Sequence, residues 1–256
     1  MEKEFIEFAN YLADEAKKIS QKYFRNLLII DNKENSTPVT IADMEIECRL
    51  RELITMHYPM HAIIGEEFDN KESINEHCWV LDPIDGTVAF STGKPTFTNL
   101  IALIKNGNPI LSIISQPISN ERFIGYGNVS SLNDKKIKTS STKLLKDARL
   151  NATTPYMFVT DYEKNIFEKI RKTVKLTSFG GDAYAYGLLA NGNIDIIMEA
   201  DLQYYDVAAL VPIINGAGGI ITDWQGMSLT RNFNGQCLAS ANRDLHEQVL
   251  NLINTN

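Results

Sequence analysis

Cysteines are few in this sequence, and long apolar runs are missing. Its 256 residues include three cysteines, Cys48, Cys78 and Cys237, and no C-x-x-C pair. This odd number, at these spacings, argues against both a disulfide framework and a zinc cluster. No apolar run reaches the roughly 18 residues that a membrane-spanning helix needs, and the first residues, MEKEFIEFAN, are too acidic for a signal peptide. We therefore expect a cytoplasmic protein that has no membrane partner.

Basic residues are in short supply as well. The chain has 25 lysines and arginines against 32 aspartates and glutamates, which gives a net charge of −7 and a pI of about 5.2. A surface for nucleic acid needs clustered basic side chains, so we expect no nucleic-acid partner. An anionic ligand would be repelled by this charge balance unless a bound cation reversed the local sign.

Several common catalytic motifs are absent. The sequence has no G-x-S-x-G motif and no Walker A loop, and the Gly-Ala-Gly-Gly run at 216–219 lacks the last glycine of a dinucleotide fingerprint. The histidines at 57, 61, 77 and 246 are scattered along the chain, which favours structural or surface roles for them. What the sequence does contain is a set of acidic residues beside apolar segments.

The pattern of apolar residues divides the chain into two parts. Residues 1–145 predict two helices and then an antiparallel sheet, with a hairpin turn at Asn106-Gly107. The polar, lysine-rich residues 130–147 predict an exposed crossing segment. Residues 146–256 predict alternating strands and helices. We therefore predict an N-terminal α+β subdomain (1–145) joined tightly to a C-terminal α/β subdomain (146–256).

Helical and alternating periodicities set the expected elements. The predicted helices cover 3–25, 40–53, 160–172, 182–191, 206–216 and 243–254. The predicted strands cover 62–64, 79–81, 98–104, 110–115, 122–127, 148–151, 194–199, 219–222 and 237–240.

The stretch WVLDPIDGT at 79–87 places two carboxylates, Asp82 and Asp85, directly after an apolar strand. Aspartate, proline and glycine all favour turns, so a plain turn is one interpretation. However, carboxylates at the edge of a core need partners, and Mg²⁺ prefers oxygen ligands. Pro83 stiffens the chain between the two acids and would leave the Ile84 carbonyl free to bind. The stretch therefore favours a rigid turn that binds a cation.

Three more acids are candidates for the same cation, each with a structural alternative. Glu66 follows a predicted strand in Gly-Glu-Glu, where it is otherwise a solvated loop residue. Asp206 stands at a predicted helix start, where it is otherwise an N-cap. Asp43 stands three residues after Thr40, which is also a capping-box spacing. The amides after Asp85 would suit a phosphate if a helix starts there.

Taken together, these segments resemble the inositol monophosphatase family. The resemblance rests on Gly-Glu-Glu at 65–67, WVLDPIDGT with Phe90 and Gly93-x-Pro95, and Tyr-Asp-Val-Ala-Ala at 205–209 followed by Gly-Ala-Gly-Gly. It runs over nearly the whole chain. It implies a layered αβαβα sandwich of the inositol monophosphatase and fructose-1,6-bisphosphatase type, a homodimer, and two or three Mg²⁺ ions per active site. It also implies a phosphomonoesterase that hydrolyses a small alcohol phosphate with a metal-activated water.

The resemblance also implies roles for individual residues. The metal ligands would be Glu66, Asp82, Asp85, Asp206 and the Ile84 carbonyl. Thr87 and Glu66 would orient the attacking water, and Asp43 would support Thr87 and a weaker metal. The Gly86 and Thr87 amides would bind phosphate. The substrate-binding set would be Gly86, Thr87, Asp182, Ala183, Glu199 and Asp206.

Three segments resemble the branch of the family that includes histidinol-phosphate phosphatases. These are FGGDAYAYGLLA at 179–190, Tyr205-Asp206, and the run Leu-Val-Pro-Ile-Ile at 210–214 followed by Gly-Ala-Gly-Gly and Ile-Thr-Asp-Trp at 221–224. In that branch Asp182 and Ala183 would lie near the leaving group, and Glu199 would contact the organic part. Two acids there suit a cationic alcohol such as histidinol, although Asp182 could instead cap a helix. We expect histidinol phosphate as the substrate. The alternatives are inositol 1-phosphate and a non-catalytic role in transcription or ribosome assembly, as in some bacterial relatives.

Overall fold

The computed structural model describes residues 2–26, 30–32, 38–73 and 76–255, and these residues form both helices and strands. The helices are α1 (Glu2–Tyr23), α2 (Ile41–His57), α3 (Thr87–Ser91), α4 (Asp161–Arg171), α5 (Asp182–Ala190), α6 (Tyr204–Ala208), α7 (Leu210–Gly216) and α8 (Arg243–Asn254). The strands are β1 (Ile30–Asn32), β2 (Pro38–Thr40), β3 (Ala62–Gly65), β4 (His77–Asp85), β5 (Thr98–Lys105), β6 (Asn108–Gln116), β7 (Glu121–Tyr126), β8 (Val129–Leu132), β9 (Lys135–Lys136), β10 (Arg149–Ala152), β11 (Leu176–Phe179), β12 (Ile196–Glu199), β13 (Ile220–Thr222) and β14 (Cys237–Ser240).

Two large sheets form the frame of the molecule. One has seven strands in the order β3-β4-β5-β6-β7-β8-β9, and the other has five in the order β11-β10-β12-β14-β13. Strands β1 and β2 pair with each other as a small antiparallel ribbon. In the larger sheet β3 runs parallel to β4, whereas the other neighbours are antiparallel.

The layers alternate between helices and sheets. Helices α1 and α2 cover one face of the seven-stranded sheet, and α5, α6 and α7 lie between the two sheets. Helices α4 and α8 cover the outer face of the five-stranded sheet. The predicted αβαβα sandwich is therefore confirmed. The division of the chain into subdomains near residue 145 stays a prediction.

Strand β5 shows why the sequence of the larger sheet is apolar on both faces. Leu100, Ala102 and Ile104 face the cluster shared with α5, α6 and α7, whereas Ile101 and Leu103 face the cluster beneath α1 and α2. Successive side chains of a strand point to opposite faces. A strand covered by helices on both faces is therefore continuously apolar.

Most of the predicted elements are found, including the hairpin at Asn106-Gly107. Both residues have positive φ, 50° and 79°, as the tight two-residue turn requires. The crossing segment predicted over 130–147 is wrong in its first part, because β8 and β9 extend the sheet there. They are joined by Asn133-Asp134, which again has positive φ at both positions. Lysines on the last strand suit an exposed sheet edge.

Three further differences have simple physical reasons. The helix predicted over 206–216 is two helices, α6 and α7, because Pro212 has no N–H for a bond to the preceding turn. The short helix α3 and the edge strand β11 were not predicted, since both are too short for a clear period. The strand predicted over 79–81 continues to Asp85 because a bulge lets the strand pass through Pro83.

Candidate active site at a bulged strand

The two aspartates of WVLDPIDGT come to the same side of β4 because the strand contains a bulge. In a regular strand, residues three apart face opposite sides of the sheet. Here Asp82 pairs with Leu100 and Asp85 pairs with Thr98, so β4 uses one residue more than β5 between the two pairs. The extra residue restores a common side. Pro83 lies within the bulge, where no ladder N–H is required.

Helix α6 supplies a third aspartate. Asp206 lies in its first turn, and its Oδ2 accepts a hydrogen bond of 2.6 Å from the Gln203 N–H. Gln203 is therefore the N-cap, and Asp206, three residues later, completes a capping box with it, so the alternative that Asp206 is itself the N-cap is wrong but a role in the cap is found. The helix packs against β4 and β5. Asp82 and Asp206, which are 124 positions apart in the sequence, thus meet at the bulge.

The three aspartates form a tight cluster. One carboxylate oxygen from each of Asp82, Asp85 and Asp206 lies within 4.8 Å of the others. Asp82 is only 2% exposed, and its Oδ1 has no hydrogen-bond partner among the described residues. Like charges this close to one another and to a core cannot all ionise without a cation. The cluster therefore has the chemistry of a cation site.

Glu66 lies near the cluster because of the parallel pairing of β3 and β4. Gly65, the last residue of β3, pairs with Leu81 in the middle of β4, so the residues that follow this pair, Glu66 and Asp82, lie next to each other. Asp43, in the first turn of α2, is 1% exposed and lies close enough for its charge to act on both acids. The Thr40 side chain lies outside the described residues, so the capping alternative for Asp43 stays a prediction.

Burial, and after it the charges of nearby acids, raise the pKa values of these carboxylates. Burial, and then the charges of Glu66, Asp85 and Asp206, raise the pKa of Asp82 well above its ordinary value. Burial raises the pKa of Glu66 to about 8, with the charges of Asp206 and Asp43 acting in the same direction. Burial also raises the pKa of Asp206 to about 7. A divalent cation would reverse these shifts by favouring the ionised forms.

The start of α5 closes the other side of the cluster. Gly180, Gly181 and Asp182 all have positive φ, 87°, 109° and 46°, which turns the chain sharply into the helix. This turn directs the Ala183 N–H at Asp85, whose Oδ2 accepts it at 2.6 Å. Asp182 makes no capping bond, and Gly181 holds the N-cap position. Burial, and next the charge of Glu199, raise the pKa of Asp182 to about 6.

Gly86 and Thr87 connect the bulge to α3. Gly86 has φ of +83°, and a Cβ there would lie 2.8 Å from Asp182 Oδ2, so both conformation and space require glycine. Thr87 is the first residue of α3, and its hydroxyl donates to the Ile84 carbonyl at 3.2 Å. The predicted phosphate-binding pair thus lies beside both Asp182 and the aspartate cluster.

Comparison with known proteins gives this geometry a family. The family model described as "Inositol monophosphatase family" matches residues 1–256. The chain belongs to the inositol monophosphatase family. It is 43% identical over 258 residues to the bifunctional phosphatase IMPL2, chloroplastic, of Arabidopsis thaliana, covering 96% of this chain and 74% of that protein. It is 30% identical over 250 residues to the histidinol-phosphatase of Mycobacterium tuberculosis, covering 95% of each.

A solved structure agrees with the fold. An inositol monophosphatase from Zymomonas mobilis superposes with a TM-score of 0.91 at 40% identity, covering 99% of this chain and 98% of that one. The protein is accordingly an enzyme of the phosphoric monoester hydrolase class. None of its described helices is both long and apolar enough to cross a membrane.

The inositol monophosphatase family consists of metal-dependent phosphatases, and the residues of this chain fit a metal. The Oδ1 of Asp82 is a buried acceptor without a hydrogen-bond partner among the described residues. Asp85 and Asp206 add oxygens within 4.8 Å. An all-oxygen set of this kind suits a hard divalent cation.

Two predicted substrate residues already have partners within the chain. Glu199 is 3% exposed, and its carboxylate accepts hydrogen bonds from the Thr153 N–H at 2.8 Å and the Tyr186 hydroxyl at 2.9 Å. The Ala183 N–H is bonded to Asp85. Asp182 is the predicted substrate acid whose own side chain makes no capping bond. Of these two acids, Glu199 is thus already held by hydrogen bonds within the described chain.

The sequence analysis missed two polar residues that hold the site in place. Asn99 is 1% exposed, and its Nδ2 donates to the Pro83 carbonyl at 2.5 Å, inside the bulge. Glu47 is buried in α2 beneath the loop that carries Glu66. The positions of both residues in the sequence could have indicated such a role. Asn99 interrupts an apolar strand, and Glu47 stands four residues after Asp43, on the same face of the helix.

Proposed function

We propose that this member of the family is a Mg²⁺-dependent phosphomonoesterase that hydrolyses histidinol phosphate. The observation that carries the metal dependence is the buried cluster of Asp82, Asp85 and Asp206, with one acceptor of Asp82 lacking a partner among the described residues. Glu66 and the Ile84 carbonyl complete the proposed ligand set. When bound, two or three Mg²⁺ ions would neutralise the phosphate and activate a water.

The residues of the chain have distinct proposed tasks around the ester. The Gly86 and Thr87 amides hold the phosphate oxygens, and the glycine at this position leaves room for a close approach. The Thr87 hydroxyl and Glu66 orient the attacking water, and Asp43 supports this pair from α2. The water attacks phosphorus in line with the leaving alcohol, without a covalent bond to the chain.

Support for histidinol comes from the charge at the rim of the cluster. Asp182 lies beside Gly86, and its neighbour Glu199 is also acidic. A protonated amine and an imidazole would gain from this negative potential, whereas a neutral polyol would gain hydrogen bonds alone. The relative in Mycobacterium tuberculosis is named a histidinol-phosphatase. Inositol 1-phosphate is the second candidate, since the Zymomonas mobilis relative is an inositol monophosphatase at 40% identity.

Phosphate release from L-histidinol phosphate and from myo-inositol 1-phosphate, measured with Mg²⁺, tests the proposal. We expect a higher kcat/KM for histidinol phosphate. Asp182→Asn should raise the KM for histidinol phosphate more than the KM for inositol 1-phosphate, because only the first substrate loses a charge partner. Asp85→Asn should abolish the release from both.

Two outcomes contradict parts of the proposal separately. Faster hydrolysis of inositol 1-phosphate than of histidinol phosphate overturns the substrate assignment and leaves the metal assignment standing. Normal turnover by Asp85→Asn overturns the metal assignment itself.

We further propose a cytoplasmic homodimer. Its support is a set of exposed apolar side chains in the C-terminal half, Tyr156, Val159, Tyr162, Leu176 and Phe179. Exposed apolar side chains are common singly, and the support here is that five of them fall within residues 156–179. Sedimentation equilibrium would give twice the mass of 28.8 kDa if this is right.

A further inference from the structure

A buried acid in α2 binds the loop that carries Glu66. The Glu47 side chain is fully buried, and its Oε2 accepts a hydrogen bond of 2.8 Å from the Glu67 N–H. Its Oε1 accepts a second, of 3.3 Å, from the Phe68 N–H. A carboxylate that accepts consecutive backbone amides fixes the chain direction at that point, since both amides must face it.

Space at the end of β3 shows how closely this carboxylate lies under the loop. A Cβ on Gly65 would be 2.1 Å from Glu47 Oε1 and 2.4 Å from its Cδ. The glycine of Gly-Glu-Glu is therefore required by contact with Glu47, and its φ is not in the left-handed region. Glu66 lies between this contact at Gly65 and the first bonded amide at Glu67.

Arg51, one turn further along α2, makes additional hydrogen bonds to the same loop. Its Nε donates to Glu47 Oε1 at 2.7 Å, and its two terminal nitrogens donate to the carbonyls of Phe68 and Asp69, each at 3.0 Å. The guanidinium also lies over the Phe68 ring, 5.8 Å from its centroid. We call Glu47 and Arg51 the loop clamp. Together they bond to the backbone of residues 67, 68 and 69.

The need for a clamp follows from the charges around Glu66. The charges of Asp206 and Asp43 act on its carboxylate, and the loop residues from Phe68 to Asn70 are exposed to solvent. Repulsion therefore favours a loop that swings outward into water. Bonds to residues 67–69 oppose that motion without touching the Glu66 carboxylate, which stays available to a ligand.

We propose that Glu47 and Arg51 are positioning residues that hold Glu66 at the metal cluster. The inference rests on the proposed function, in which Glu66 is a metal ligand. Outer hydrogen-bond partners of this kind typically change metal affinity or activity by about 10- to 100-fold. The loop clamp differs from such partners in that it acts through the backbone on either side of the ligand.

The chain contains a matched control for a merely structural role. Asp195 is also fully buried, and it also accepts an arginine Nε at 2.7 Å, from Arg149, and a backbone N–H at 2.8 Å. It precedes β12, whereas Glu199, at the far end of that strand, is the end that approaches the site. Glu47→Gln and Asp195→Asn therefore remove the same chemistry from two places.

The deciding measurement is direct binding of Mn²⁺, followed by the loss of its free electron paramagnetic resonance signal, because carboxylate sites accept Mn²⁺ and Mg²⁺ alike. Urea unfolding and the Mg²⁺ concentration for half-maximal phosphate release accompany it. We expect Glu47→Gln to raise the Mn²⁺ dissociation constant and the half-saturating Mg²⁺ concentration by about tenfold. Asp195→Asn should lower stability and leave both metal values as in the wild type.

Equal Mn²⁺ affinity in wild type and Glu47→Gln overturns the inference. If Glu47→Gln does not fold, Arg51→Met decides. It keeps Glu47 and the side-chain volume but loses the bonds to the Phe68 and Asp69 carbonyls, so metal affinity should still fall, and an unchanged affinity overturns the inference. A wild-type protein that neither binds Mn²⁺ nor releases phosphate contradicts the proposed function instead.

Discussion

Asp82 and Asp195 are both buried acids, but their surroundings shift their pKa values in opposite directions. Burial alone would raise the pKa of Asp195, but hydrogen bonds from Arg149 and Ser140 bring it below its ordinary value. Asp82 has no such help at Oδ1 within the described chain. Burial and the neighbouring acids, led by Glu66, raise its pKa well above the ordinary value.

Some buried acids, such as Asp195, have hydrogen-bond donors from the chain itself, whereas others, such as Asp82, need a bound cation to stabilise their charge. A buried ion pair within the chain is costly to break, because one charge is left without its partner. A buried cluster of like charges is costly to keep, and it persists at functional sites for that reason. The two kinds of acid should therefore respond oppositely to the same change from carboxylate to amide.

Asp82→Asn should produce the largest effect, and it should be on activity. We expect kcat/KM with Mg²⁺ to fall by more than about a hundredfold. A hundredfold loss is the upper end for residues that only support a metal ligand, and Asp82 is proposed to be a ligand itself. The free energy of unfolding without metal should not fall, because the substitution removes repulsion from Glu66 and Asp85. Phosphate release and urea unfolding in a chelator measure the two quantities.

Asp195→Asn is the control for this experiment. It should lower the free energy of unfolding by about 2 kcal/mol, since Asp195 loses its charge-assisted hydrogen bonds with Arg149, whose side chain is 35% exposed, and it should leave kcat unchanged. If Asp82→Asn destabilises the metal-free protein as Asp195→Asn does, then Asp82 is a structural acid and the comparison fails.

The parts of the site that the sequence predicted are local. Asp82, Asp85 and Asp206 each stand next to a recognisable strand or helix, so the motif placed them before any contact was known. The layered fold was expected from the family resemblance alone. The structure shows that β5 agrees with it, because an unbroken apolar run suits a strand that is covered on both faces.

The parts that could not be predicted depend on contacts between distant residues. The sequence reads Pro83 as a turn, and only the pairing of β4 with β5 shows a bulge within a continuing strand. Likewise, nothing local indicates that the Ala183 N–H bonds to Asp85, 98 residues away. Glu199 was predicted to meet the substrate, yet two hydrogen bonds from Thr153 and Tyr186 already hold it. Its role toward a substrate stays a prediction.

His246 provides a buried titratable group of a third kind, one that is satisfied while neutral. Its ring nitrogens lie 3.0 Å from the Thr222 hydroxyl and 3.1 Å from the Ser240 hydroxyl. Burial, and next the charge of Arg243, lower its pKa to about 4. A depressed pKa means that the folded state resists protonation, so this stability is full above pH about 6.5 and is lost as the pH falls toward 4.

His246→Gln should therefore flatten the acid side of the stability profile. Between pH 7 and pH 4 the wild type should lose on the order of 3 kcal/mol more than the variant. Urea unfolding at several pH values gives this difference, in which the titration of the shared carboxylates cancels. Parallel profiles for the two proteins would mean that His246 is protonated in the folded state without cost.

Added Mg²⁺ should raise the free energy of unfolding only where the acidic cluster around Asp82 is intact. This is the smallest of the expected effects. A ligand that binds only the folded state, at about 100 times its dissociation constant, adds about 2.7 kcal/mol to the free energy of unfolding. We expect this gain in wild type and in Asp195→Asn, because the cluster is intact in both, and little gain in Asp82→Asn. Unfolding in urea at matched ionic strength, with MgCl₂ or with KCl, measures the increments. Equal increments in all three proteins would mean that Mg²⁺ acts on the surface in general, and that Asp82 and Asp195 do not differ in their need for a cation.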